Sequence, residues 1–457
     1  MPDENGKMVG EKSLAGEEFA EFVLNTKYAK IPEDVVEFTK LLVLKNIANM
    51  AAGARMPHSR KLVNLVRERR LPGEVGVLTY GFQTSLWEGV FLNAFFAHAA
   101  ELEDDAFFDA DYNICGPSWT ITVIPLLLTL TQRQRLSGKQ LIESVVVGLE
   151  VHRRSCLSTV LHRGVLLGPG SVGPAAGAAK ALGLNKEEIM SAIGLAISGV
   201  DIQQVNYGFD GHFFESAMQS LQALIAAQMA KNGLTGNPDL PTFLEIKYGD
   251  TAVKPEKMLA DLGSQWLCKD FWIKKYPASF GLHNVIDLMC ELKNKHKFSW
   301  DEIDVIEAFP PGPFLGFVPN NVGQAAFSLY WVLGVAAVDG DVTLAHMTEE
   351  ALDNTIYQQA VAKVKQTVPP ELSKEWTTPF SHMDGLKIHM KDGKIYSGER
   401  RYPIGSPKEP LTNEQVKNLF QKFVSGIYSS KEIDTITQAI LNLEKLNDLG
   451  EVMDLLT

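Results

Sequence analysis

One short stretch gathers most of the acid–base chemistry in this chain: "HAAELEDDAFF", His98 to Phe108, which follows the apolar run "LWEGVFLNAFFAHAA". Glu101, Glu103, Asp104 and Asp105 fall within five positions behind a histidine. Acids at the end of a helical run can hold a metal, move protons, or simply face water. A metal is the least favoured of these readings, because no further histidine stands at ligand spacing from the acids. Proton transfer requires a partner that titrates near neutral pH, the range in which histidine works.

The composition narrows the setting in which such chemistry would operate. The chain has 457 residues, too many for one small core, so two domains are expected. Its 45% hydrophobic and 21% charged residues are those of a soluble globular protein. A net charge of −12 with no long basic run argues against a nucleic-acid surface. The longest apolar runs, such as "VIPLLLTL", are too short to cross a bilayer, so no membrane partner is expected. The polar start lacks the apolar centre of a signal peptide, and the four cysteines form no CxxC pair. A cytoplasmic location is the simplest expectation. "GPGSVGPAAGAAK" fits neither dinucleotide nor P-loop spacing, and no GxSxG elbow occurs.

Helices must position these groups. "PEDVVEFTKLLVLKNIANMAAG" opens near Pro32 and closes at Gly53, with apolar positions recurring at three and four. "SGKQLIESVVVGLEVHRRSC" has Ser137 as its N-cap candidate. "GPAAGAAKALGL", "NKEEIMSAIGLAISG" and "ESAMQSLQALIAAQMAKNG" carry many Ala and Gly, which let helix axes approach closely. The pattern changes near Phe271. "DEIDVIEAFPP" resembles a strand, and "GLKIHMKDGKIYSGERRYP" reads as a hairpin turning at Asp392-Gly393. The expected fold class is mainly α. A large all-helical domain (residues 1–270) resumes as a C-terminal return (401–457), with a smaller α+β lid (271–400) inserted between.

Five segments in order, "NAFFAHAAELEDD", "GPAAGAAKALGLNKEEIMSAIGLAISG", "IKKYPASFGLHNVID", "QAAFSLYWVLGVAAVDG" and "MKDGKIYSGERRYPIGSPKEPLTNEQV", make the chain resemble the MmgE/PrpD family. That family includes 2-methylcitrate dehydratase, cis-aconitate decarboxylase and iminodisuccinate epimerase. The resemblance implies a homodimer with a site between the domains. It also implies a small carboxylate substrate and no required metal or organic cofactor.

The resemblance also assigns residues. The family's His-Ala-x-Asp/Glu-x-Asp-Asp-Thr motif falls on His98 to Asp105, with Asp105 where Thr is common, and implies a substrate-site rim. A family His-Pro-Ser histidine is replaced by Gly116 or, in a second register, Ser118. Another family histidine falls at Gly164, beside Arg163, whose guanidinium could clamp a carboxylate. The family's Lys-Pro-x-His lysine becomes His212, in a stretch that reads as a Gly-rich loop, with Glu215 at the motif's histidine. Lys-x-Tyr-Pro survives as Lys274 to Pro277, with Lys274 the cleft lysine and Tyr276 beside it. His283 matches a further family histidine. The scaffold is kept and the proton-handling set is changed.

The reading that follows is a divergent, cofactor-independent lyase or isomerase. His212 is general base or acid, with a pH limb at roughly 6 to 7. Glu101 or Asp105 polarises or protonates, and Lys274 and Arg163 anchor a carboxylate, with Ser118, Tyr276 and His283 nearby. Small, aromatic walls (Trp119, Phe213, Phe214) suit a larger and less charged substrate than cis-aconitate. The alternative is a non-catalytic binding protein that kept the cleft.

Overall fold

A computed structural model describes residues 14–106, 119–157, 165–167, 169–249, 255–309, 315–367 and 383–457. Ser118 and Arg163, expected above to bind substrate, lie outside these residues, as do Gly116 and Gly164.

The centre of the molecule is helix α1 (Glu33–Ala54), in which every residue from Thr39 to Ala54 is buried. Acids Glu33 and Asp34 sit in its first turn, where the helix dipole favours them. Helix α2 (Leu86–Ala99) is apolar on nearly all sides and therefore lies inside the bundle. It crosses α1 at Gly53, where a Cβ would stand 1.8 Å from the Phe96 carbonyl oxygen, so only glycine permits that approach. Helices α3 (Ile124–Gln134), α4 (Gly138–Leu157), α5 (Val172–Leu182) and α6 (Asp210–Lys231) complete this part. The alanines of α5 and α6, among them Ala175, Ala179, Ala223 and Ala227, share one core, as their composition implied.

Strand β1 (Asp105–Ala106) pairs antiparallel with β2 (Phe271–Trp272), Asp105 opposite Trp272. This short ladder ties the end of the α2 segment to a stretch more than 160 residues later in the chain.

Beyond β2 a second core forms. Helices α7 (His283–His296) and α8 (Leu329–Asp339) pack with a four-stranded sheet. Its strands are β3 (Ile303–Phe309), β4 (Val364–Gln366), β5 (Asp384–Met390) and β6 (Ile395–Arg400), in the order β6-β5-β3-β4. The expected hairpin is β5–β6, and Gly393 sits at φ 88° in its turn. The mainly helical fold with a small α+β portion is thus the observed one.

Helices α9 (Asn413–Val424) and α10 (Ser430–Leu441) each open on a capping box, at Thr412 and Ser429. Their buried faces (Val416, Phe420, Ile436, Ile440) join the core that contains α1. Among the described residues, no helix is long and apolar enough to cross a membrane.

Candidate active site

Helix α2 stops at Ala100, and Glu101 follows with φ 53°, in the left-handed region. That conformation costs a non-glycine residue roughly 1–2 kcal/mol. It turns the chain so that the next carboxylates point into the protein rather than outward. The acids are therefore neither a solvated turn nor a rim: Glu101, Glu103, Asp104 and Asp105 are 4%, 2%, 0% and 1% exposed. The expectation of a rim is corrected here, because the helix end lies inside the bundle.

The four acids divide their work. Asp104 turns to α1, where Lys45 Nζ approaches it at 3.4 Å and Asn46 Nδ2 donates to it at 3.2 Å. Burial lifts its pKa to about 6 even so, against the pull of Lys45. Lys45 also donates to Asn49 and to the Leu102 carbonyl, so this group holds the loop in place.

Glu101 and Glu103 turn the other way, to Lys274. Continuing the register of β1 and β2 past Asp105 and Trp272 sets Glu103 directly across from Lys274, an opposite-charge cross-strand pair. The Lys274 ammonium donates to Glu103 Oε1 and, at 3.4 Å, to Glu101 Oε1. It is fully buried. Burial alone would favour the neutral amine, but the charges of Glu103 and Glu101 outweigh it and hold the ammonium charged. Glu101 moves in the opposite direction. Burial, with the Glu103 charge added, raises its pKa well above the usual carboxylate range. Burial likewise pushes Asp105 up to about 8.

His212 meets this group from the far side. It occupies the first turn of α6, not a loop, and is 1% exposed. The Gly-rich stretch before it makes the turn into the helix rather than an open segment. Its Nε2 lies 3.9 Å from Glu101 Oε2. The ring is enclosed by His98, Tyr207, Trp119 and Phe327, at centroid distances of 4.5, 4.9, 5.6 and 5.6 Å. Burial, then Lys274, drives its pKa down to about 3, so the titration limb expected at pH 6 to 7 does not belong to this imidazole. Glu215, one turn on, accepts from the Gln203 N–H and from Asn206 and holds the approach to α6.

His98 is the residue that sequence spacing did not bring forward. It lies in the last turn of α2, buried, with Nε2 3.8 Å from Glu101 Oε2 and 3.9 Å from Glu103 Oε2. Its Nδ1 lies 2.8 Å from Ser216 Oγ on α6. The histidine three residues before Glu101 was visible. Its convergence with His212 was not, since 111 positions separate that residue from Glu101.

The remaining expected residues make other hydrogen bonds. Tyr276 spends its one O–H on Asp287, 2.9 Å away, which also takes Lys275 and the Ile404 N–H. His283 is buried against Trp272 and Tyr276, and its Nε2–H donates to the Ala278 carbonyl. Tyr276 joins the second core, whereas His283 stays close enough to Lys274 for its charge, after burial, to lower the imidazole pKa well below the usual range. Phe213 and Trp119 do line His98, at 5.1 and 4.9 Å, whereas Phe214 is half exposed.

A fold of this kind, with buried acids, imidazoles and a lysine where its two cores meet, has known relatives. The chain belongs to the MmgE/PrpD family: residues 17–250 match the MmgE/PrpD N-terminal domain and residues 276–445 the C-terminal domain. It is 23% identical to a cis-aconitate decarboxylase of Aspergillus terreus, over 97% of this chain and 96% of that protein. It is 25% identical to the cis-aconitate decarboxylase of Mus musculus, over 79% of this chain and 76% of that protein.

Proposed function

We propose that this protein is a lyase or isomerase that moves a proton on a small carboxylate, without an organic cofactor. The observation that carries this reading is the convergence of His212, Glu101 and Lys274 in one buried group. Relatives named as cis-aconitate decarboxylases support the lyase class.

Burial keeps the His212 imidazole neutral and pushes the Glu101 carboxyl toward its protonated form, and the two groups face each other at 3.9 Å. Two titratable groups pushed in opposite directions are the usual signature of an acid–base pair. In this reading Nε2 takes the proton from the carbon next to the substrate carboxylate. Glu101 returns a proton to the leaving oxygen or to the opposite face of that carbon, with Asp105 as the second candidate donor. Lys274 and Arg163 hold the substrate carboxylate. The segment from 271 to about 400 serves as the lid that closes on it.

The substrate is read as less charged than a tricarboxylate. Among the described residues, Lys274 is the cation that reaches Glu101 and Glu103, and both carboxylates already engage it. The test is a panel of mono-, di- and tricarboxylic acids incubated with the full chain and followed by proton NMR. Loss of one acid, or solvent deuterium appearing beside its carboxylate, supports the reading. Saturable binding with neither change favours a non-catalytic binding protein. Turnover of cis-aconitate alone would overturn the substrate argument.

A further inference from the structure

His98 and Glu101 bring together, beside His212, buried polar atoms that the hydrogen bonds of the site leave unused. Ser216 Oγ donates its only proton to the Phe213 carbonyl at 3.0 Å. Toward His98 Nδ1, 2.8 Å away, the same oxygen can then only accept, so Nδ1 carries the hydrogen. That leaves a lone pair on His98 Nε2, aimed at Glu101 Oε2 and Glu103 Oε2 at 3.8 and 3.9 Å. Among the described residues none of these three atoms has a hydrogen-bond partner, and all three are buried. Lys274 does not fill the gap, because it sits on the Oε1 atoms of both glutamates. His212 Nε2 lies 3.9 Å from the same Glu101 Oε2.

We infer that this gap is a divalent-metal site, with His98 Nε2, Glu101 Oε2 and His212 Nε2 as the three protein ligands. These residues place one ligand atom each within 4.8 Å of one another. Ligands about 2.1 Å from a common ion stand roughly 3.0–3.4 Å apart, so the set closes on an ion by shifts of about half an ångström. Two imidazoles and one carboxylate on one side of an ion suit a first-row dication such as Fe²⁺, Mn²⁺, Co²⁺ or Zn²⁺. The Ser216 bond to His98 Nδ1 is the outer-shell contact that fixes the tautomer of a metal-binding histidine.

The inference goes beyond the proton-transfer reading. The metal-free protein keeps the acid–base pair, and the ion takes the proton's place as a Lewis acid for a substrate carboxylate or hydroxyl.

The test uses the full chain, stripped with chelator and titrated with Co²⁺ while visible absorption is recorded, and with Zn²⁺ by calorimetry. The expected result is one ion per chain at micromolar affinity, with cobalt d–d bands. His98→Gln and Glu101→Gln should each weaken binding at least tenfold while circular dichroism stays native. His389→Gln, at a half-exposed histidine beside Glu307, should leave binding unchanged. If the glutamine variants fail to fold, wild-type proton NMR decides, since Zn²⁺ should shift two buried imidazole signals. No stoichiometric binding at millimolar ion overturns the site. Binding that survives both variants, or is lost with His389→Gln, does so too. No substrate is used, so this outcome is independent of the turnover test above.

Discussion

Lys274 donates to Glu101 across 173 positions of sequence, and a two-residue ladder puts it there. Both groups are buried, so neither charge can be left alone without cost. Lys274→Met should strand Glu101 and Glu103 and destabilise the protein by roughly 3–5 kcal/mol. Adding Glu103→Gln should recover part of that loss. Urea denaturation of the single and double variants measures it, and equal stability in all three would remove the pair from the account.

His212 is expected to matter for turnover more than any other single residue. Once a substrate is known, His212→Ala should lower kcat by roughly two to four orders of magnitude. Because the ring is enclosed by four others rather than held in a loop, truncation should also cost stability, roughly 1–3 kcal/mol. His212→Gln, which keeps much of the volume, separates the two effects. His212→Lys is not expected to create cis-aconitate decarboxylation, and incubation with cis-aconitate checks it. Near-full kcat in His212→Ala would leave Glu101 and Asp105 as the leading proton carriers.

Asp105 should impose a pH signature on stability. Its folded pKa, about 8, lies above the ordinary value of 3.8. A raised carboxyl binds its proton more tightly folded than unfolded. Its contribution is therefore full below about pH 4 and is lost progressively as pH rises to about 8. Asp105→Asn cannot ionise, so it should gain on the wild type by roughly 1.4 kcal/mol per pH unit across that window. Melting temperatures of both proteins at pH 5 and pH 8 test this; a constant difference would mean that Asp105 is ionised in the folded state.

Gly53→Ala should force α1 and α2 apart, because the added methyl meets the Phe96 carbonyl, a backbone atom that cannot swing away. Overpacking of this kind costs typically 1–3 kcal/mol. The His98 end of α2 should move with it. A melting temperature within a degree of wild type would show that the helices separate freely.

A homodimer through the helical part is the expected assembly. Val205, Phe209 and Phe214 near the start of α6 are 81%, 60% and 48% exposed, a cluster that a partner surface would cover. Light scattering at micromolar concentration should give twice the chain mass, and Phe209→Glu should reduce it. A wild-type monomer would end this expectation.

Much of the scaffold was legible in the residues. The three-and-four spacing of α1, the small residues of α5 and α6, and the alternation around Asp392-Gly393 are local patterns that backbone geometry reads directly. The acids, His98, Lys274 and His212 were visible as chemistry. Their arrangement was not. Whether "ELEDD" faces water or the interior turned on one left-handed residue, Glu101, and on the bundle around it. Tyr276 and His283, beside the lysine in sequence, went to other partners, Asp287 and the Ala278 carbonyl. Residue type and local periodicity are encoded along the chain. The meeting of α2, α6 and the end of β2 depends on packing between segments over a hundred positions apart, and only the tertiary structure decided it. Burial then followed from that packing, and burial is what sets the charge states of Glu101, Asp105 and His212.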